Sequence, residues 1–141
     1  MKVLFDTNIV LDLLMDRRPF SDAAVLLFSK VEDGTLIGFL CGTTITTVYY
    51  LASKALGAAQ AQEEVRKILG LFEVAPVNRP VLESALAAGF IDFEDAVLYE
   101  AACHVGADAI VTRNQKDFKN SKISVYTSTE LARIMSVQNQ A

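Results

Sequence analysis

Short apolar runs alternate with segments of helical period along this chain, and that alternation leaves few folds open. Lys2–Phe5, Leu36–Cys41, Ala109–Thr112 and Ile123–Tyr126 read as buried strands, too short for helices and almost wholly apolar. Glu73–Val77 reads as a further short extended piece beside Pro76. Between them lie segments with apolar residues at three- and four-residue spacing. The first, Thr7 to about Met15, carries Ile9, Val10, Leu13 and Leu14 and is broken by Asp16-Arg-Arg-Pro19. Ser21–Glu32 presents Ala24, Leu27, Phe28 and Val31 on one face. Further helices are expected from Thr43 or Thr44 to Ala55, over Ala58–Leu71 with Val65, Ile68, Leu69 and Phe72 apolar, and over Arg79–Ala88, Asp92–Val105 and Ser128–Met135. Strands alternating with helices predict a mostly parallel sheet covered on both faces, an α/β fold of three layers, α/β/α. A single domain over 1–135 is expected, with a polar, frayed tail at 136–141.

Composition removes several classes. At 52% hydrophobic, the 141 residues have enough apolar mass for a core and too much for a disordered chain. A formal net charge of −4 argues against purely electrostatic binding to nucleic acid. Two separated cysteines, Cys41 and Cys103, form no disulfide framework, and both sit in apolar segments as expected buried thiols. A reducing cytoplasm follows as an expectation. Asp6 interrupts the apolar start, so no secretory signal is expected. The stretch between Asp33 and Lys54 carries no charge, but its threonines and glycines suit a strand and a buried helix better than a membrane span.

In parallel sheets ligands collect beyond the carboxyl ends of the strands. Acids stand there. Lys2–Phe5 runs into Asp6, a sound helix N-cap but also a carboxylate that is costly to bury without a hydrogen bond or a cation. Asp92, Glu94 and Asp95 open one helix. Capping and the helix dipole account for some of them, yet their mutual repulsion raises a carboxylate pKa unless a cation offsets it. Asp117 follows Thr112-Arg-Asn114, where a plain turn is the simpler explanation. Oxygen-only ligands at these positions suit Mg²⁺ or Mn²⁺, and the single His104 with two distant cysteines supplies no zinc site.

Phe5-Asp-Thr-Asn8, Asp92-Phe-Glu-Asp-Ala96 and Val111-Thr-Arg-Asn-Gln-Lys-Asp-Phe118, in this order, resemble PIN domains, nearest to the bacterial branch related to toxins of toxin–antitoxin pairs. The resemblance spans Val3 to about Ile134. It implies a parallel sheet of about five strands, an acidic metal site at one edge, and endoribonuclease activity on single-stranded RNA. By position it makes Asp6, Asp95 and Asp117 the metal-binding acids, with Asn8, Glu94, Thr112 and Asn114 as auxiliaries. It also implies a small antitoxin partner and a homodimer. One position departs. Most active members carry a Glu on the helix after the second strand, and here Thr47 stands there, a hydroxyl without charge.

RNA would need cations, and Arg113, Lys116, Lys119 and Lys122 lie beside Asp117. Tyr49 and Tyr50 offer stacking surfaces, although at least one is expected in the core. Two alternatives stay open. One is a phosphatase of the haloacid-dehalogenase type, which also starts with a strand running into Asp but needs a second Asp where Asn8 stands. The other is an RNA- or protein-binding module whose catalysis is lost, which Thr47 motivates.

Overall fold

The computed structural model describes residues 1–140, with side chains for 1–137. In chain order the elements are β1 (Lys2–Phe5), α1 (Thr7–Leu14), α2 (Ser21–Glu32), β2 (Ile37–Cys41), α3 (Gly42–Leu56), α4 (Ala58–Leu71), β3 (Glu73–Ala75), α5 (Arg79–Ala87), α6 (Phe93–His104), β4 (Ala109–Val111), β5 (Ser124–Tyr126) and α7 (Ser128–Gln140). A single 3₁₀ turn, Gln115–Phe118, lies between β4 and β5.

All strand pairs are parallel, and the sheet order is β3-β2-β1-β4-β5. The chain winds outward from β1 through β2 to β3, then crosses back to β4 and β5. That reversal puts the topological switch point between β1 and β4. Phe5 is in register with Val111. Asp6 and Thr112, the next residues, therefore leave the sheet side by side.

Strand alternation divides the core into two. Val3, Phe5, Ala109 and Val111 point to the face covered by α1, α2, α3, α4 and α7. Leu4, Cys41, Ala75 and Ile110 point to the face covered by α5 and α6. This is the three-layer α/β/α arrangement expected from the alternation. On the first face Phe5, Phe28 and Phe72 pack edge-to-face with ring centroids 5.1–5.6 Å apart, each contact worth about 1 kcal/mol beyond area burial. Gly38 in β2 makes room for this cluster, since a Cβ there would sit 2.6 Å from the Phe72 ring.

Caps fix where the helices of the second face begin. Asn78 accepts the Val81 N–H at 3.2 Å at the start of α5, and Asp92 accepts the Asp95 N–H at 2.9 Å at the start of α6. Thr127 and Glu130 form a reciprocal capping box on α7. Gly57, at φ +89°, separates α3 from α4.

Some expectations need correction. Helix α7 continues through the polar segment to Gln140 instead of ending at Met135; Ala141 and the side chains of 138–140 lie outside the described residues. Leu69 is exposed on α4: of the four apolar residues expected on its face, Ile68 and Phe72 are buried and Val65 packs at the edge of the core. Cys41 is buried as expected, but Cys103 is only half-buried. The uncharged stretch is β2 followed by α3, and no helix among the described residues is long and apolar enough to cross a membrane.

Candidate metal-dependent active site

Asp6 stands at the end of β1 and caps α1. Its backbone N–H continues the ladder to the Val111 carbonyl at 2.9 Å. One carboxylate oxygen accepts the Thr7 N–H at 2.7 Å, and the other accepts the Thr112 hydroxyl, also at 2.7 Å. The carboxyl is buried. Burial pushes its pKa up, the two hydrogen bonds pull it back, and repulsion from Glu94 and Asp117 adds to the rise. Both readings of Asp6 therefore hold together: it is a cap, and it is a buried acid facing other acids.

Asp92 and Asp95 divide the work at the start of α6. Asp92 is the cap, which leaves the Asp95 side chain free of that role. Asp95 is half-buried, and its pKa is pushed up to about 7, first by burial and then by the charges of Asp92, Asp6, Asp117 and Glu94. Asp117 is exposed on the 3₁₀ turn, where its N–H donates to the Asn114 carbonyl at 3.0 Å. The Asn114 N–H in turn donates to the Thr112 hydroxyl at 3.0 Å. A continuous set of hydrogen bonds thus runs from Asp6 through Thr112 and Asn114 to Asp117.

Asp95 and Asp117 line one cleft of about 710 Å³ together with Gly89, Phe90, Ile91, Asp92, Lys116, Lys119 and Asn120. The Asn120 side chain ties its walls by donating to the Gly89 carbonyl at 2.9 Å. Asp6 lies outside that lining and is coupled to it by charge. The donor set is all oxygen and crowded with like charge, which suits a hard divalent cation. No group of three or more His, Cys, Asp or Glu side chains among the described residues is closed tightly enough to hold an ion as it stands.

The expected auxiliaries separate. Thr112 is buried and holds Asp6. Asn8 is half-buried on the first turn of α1, and Glu94 is exposed beside Asp95. The Thr47 hydroxyl donates to the Thr43 carbonyl of its own helix at 3.1 Å. On the same helix the Thr44 hydroxyl shares a hydrogen bond with the hydroxyl of Thr7, the residue after Asp6, at 2.9 Å.

The expected cation cluster also divides. Lys116 and Lys119 are exposed in the cleft. Lys122 lines a different cavity, with Tyr99, Glu100 and Cys103. Arg113 turns away to Asp12, a buried acid of α1 whose pKa is raised by burial and lowered in part by Arg113 and Arg17. Asp12 went unread in the sequence, although a lone acid within the apolar run Ile9-Val-Leu-Asp-Leu-Leu14 was a signal. Tyr50 is exposed with Lys54 over its ring at 4.5 Å, and Tyr49 is half-buried, so neither faces the acids through any observed contact. His104 is exposed and pairs with Glu100 at 3.7 Å.

A family profile described as the PIN domain matches residues 2–116. The chain belongs to the PIN domain family. The PIN match stops one residue short of Asp117 and takes in Asp6, Thr47 and Asp95. The chain is 30% identical over 139 residues to "Ribonuclease VapC1" of Aquifex aeolicus, covering 92% of each. Among solved structures, FitAcB of Neisseria gonorrhoeae superposes with a TM-score of 0.72 at 20% identity, over 90% of this chain and 98% of that one. A toxin–antitoxin complex from Klebsiella pneumoniae gives a TM-score of 0.68 at 25% identity, over 89% and 97%. The five-stranded parallel sheet and flanking helices are thus those of the PIN fold.

Proposed function

We propose that this PIN domain is a divalent-metal-dependent endoribonuclease that cuts single-stranded RNA and serves as the toxin of a toxin–antitoxin pair, with Asp6, Asp95 and Asp117 as its ligands for Mg²⁺ or Mn²⁺. The observation that carries this is that Asp95 and Asp117 line one cleft while the charge of Asp6 bears on both, and that burial and then repulsion among the acids push Asp95 up to about 7. Carboxylates held against each other in this way gain most from a cation between them. Bound there, a divalent ion supplies Lewis acidity and neutralises charge on the phosphoryl oxygens.

The protein's own residues do the rest. Thr7 and Thr112 aim Asp6 by two hydrogen bonds. Asp95, half-buried on the first turn of α6, and Asp117, exposed on the 3₁₀ turn, border the cleft from two separate elements. Lys116 and Lys119 stand over the same cleft to take phosphates of the strand. Phe90 and Ile91 offer apolar wall to unpaired bases. The similarity to "Ribonuclease VapC1" and to a toxin–antitoxin complex supports RNA as substrate and a small antitoxin as partner. The free thiols of Cys41 and Cys103 suit a reducing cytoplasm. We keep 1–135 as the catalytic unit and a homodimer as the working assembly. Cleavage of a single-stranded RNA by purified protein with Mn²⁺, lost in Asp6→Asn and Asp117→Asn, is the expected result.

One observation favours a second reading. Helix α3 brings Thr47 in place of a carboxylate, and its hydroxyl is engaged with the Thr43 carbonyl. A domain that binds RNA or protein without cutting would show wild type and both variants equally inert in that assay.

A further inference from the structure

Asp12 is an acid that the proposed metal site leaves unused, and it is 0% exposed. Both of its carboxylate oxygens are buried without a hydrogen bond. Its charge is answered by two guanidinium groups at ion-pair distance, Arg113 Nε at 3.3 Å and Arg17 Nη1 at 4.0 Å. The Arg113 guanidinium lies over the Phe20 ring, its central carbon 4.2 Å from the ring centroid.

The placement of this pair matters more than its charge. Asp12 belongs to α1, the short helix capped by Asp6. Arg113 directly follows Thr112, whose hydroxyl holds Asp6. Two side-chain links therefore join α1 to the end of β4: Asp6 with Thr112 near the first turn, and Asp12 with Arg113 near the last. Two such links resist rolling and sliding of α1 against the end of β4. From Thr112 the hydrogen bonds through Asn114 continue to Asp117.

As a source of stability alone, a buried ion pair is a poor choice, because well-packed apolar residues usually do as well or better. We infer that Asp12 is a positioning residue: through Arg113 it fixes the turn after β4, and so the relative placement of Asp6 and Asp117. The inference builds on the metal site proposed above. Groups that orient the ligands of a metal typically change its affinity by about 10- to 100-fold when removed.

The test is Mn²⁺ binding by calorimetry to folded wild type, the double variant Asp12→Leu/Arg113→Met, and Arg113→Lys, with thermal melts on each. The double variant removes both charges at once and leaves no buried charge without a partner within that pair. Arg113→Lys keeps the charge but loses the planar group stacked on Phe20. The expected result is Mn²⁺ affinity about 10-fold lower in the folded double variant, with a smaller loss in Arg113→Lys. Should the double variant not fold, Arg113→Lys carries the test. Lower melting temperatures with wild-type Mn²⁺ affinity would reduce the pair to a structural one and overturn the inference. Wild type that binds no Mn²⁺ would remove the metal site itself, and this inference with it.

Discussion

The Thr112 hydroxyl donates to Asp6 Oδ2 at 2.7 Å across a sequence separation of 106 residues, joining the ends of the two strands that flank the switch point. This bond holds a buried carboxylate in one orientation, and its removal leaves one oxygen without a partner. Thr112→Val is therefore expected to destabilise the protein by about 1–3 kcal/mol in urea unfolding, with Thr112→Ser restoring most of the loss. Equal stability of the Val and Ser variants would show that the bond does not hold Asp6.

The acids give the metal-free protein an unusual pH dependence. Asp95 rises from the ordinary 3.8 to about 7 in the folded state, and Asp6 also rises. A carboxyl whose folded pKa exceeds its unfolded value binds more protons when folded across the interval between them. Stability should therefore fall as pH rises through that interval, reaching its full loss above about 7. Melting temperatures in chelator should show this slope, and Asp95→Asn should flatten it. Mn²⁺ should raise the melting temperature most at the alkaline end, where the carboxylates are charged.

Lys116 and Lys119 face the cleft, whereas Lys122 lies elsewhere. Lys116→Ala and Lys119→Ala should each weaken binding of single-stranded RNA and reduce the salt dependence of log affinity by about 0.7. Lys122→Ala should leave both unchanged. Filter binding across a salt series with a non-cleaving Asp117→Asn background would measure it, and a Lys122 effect as large as the others would contradict this placement of the strand.

Thr47 offers a gain-of-function test. Its hydroxyl makes only an intrahelical bond, so Thr47→Glu gives up little and adds a carboxylate to α3. Tighter Mn²⁺ binding and faster RNA cleavage are expected. A variant with unchanged affinity would mean that α3 does not turn this position toward the ion.

Much of the fold was legible because it follows from local rules. Apolar runs as short as Lys2–Phe5 and Ala109–Val111 suit buried strands better than helices, and Asp92 announced the start of α6 by its place before Glu94 and Asp95. The acids at the strand ends were visible for the same reason. What the residues did not disclose were tertiary partners. Arg113 and Lys122 look like equal members of a basic cluster until the sheet brings Asp12 to one and Tyr99 to the neighbourhood of the other. Thr112 stands among the expected auxiliaries, but its partner stays hidden until parallel pairing sets it beside Asp6. Helix α7 outran its apolar pattern, since its capping box and the packing of Leu131 and Met135 stabilise polar turns beyond them.

Asp6, Asp95 and Asp117 are predicted to share one divalent cation, and calorimetric titration of Mn²⁺ into wild type and Asp95→Asn decides it. One saturable site in wild type, lost or weakened at least about 10-fold in Asp95→Asn while the variant stays folded, is the predicted result. Mn²⁺ binding of equal strength in both proteins would contradict it.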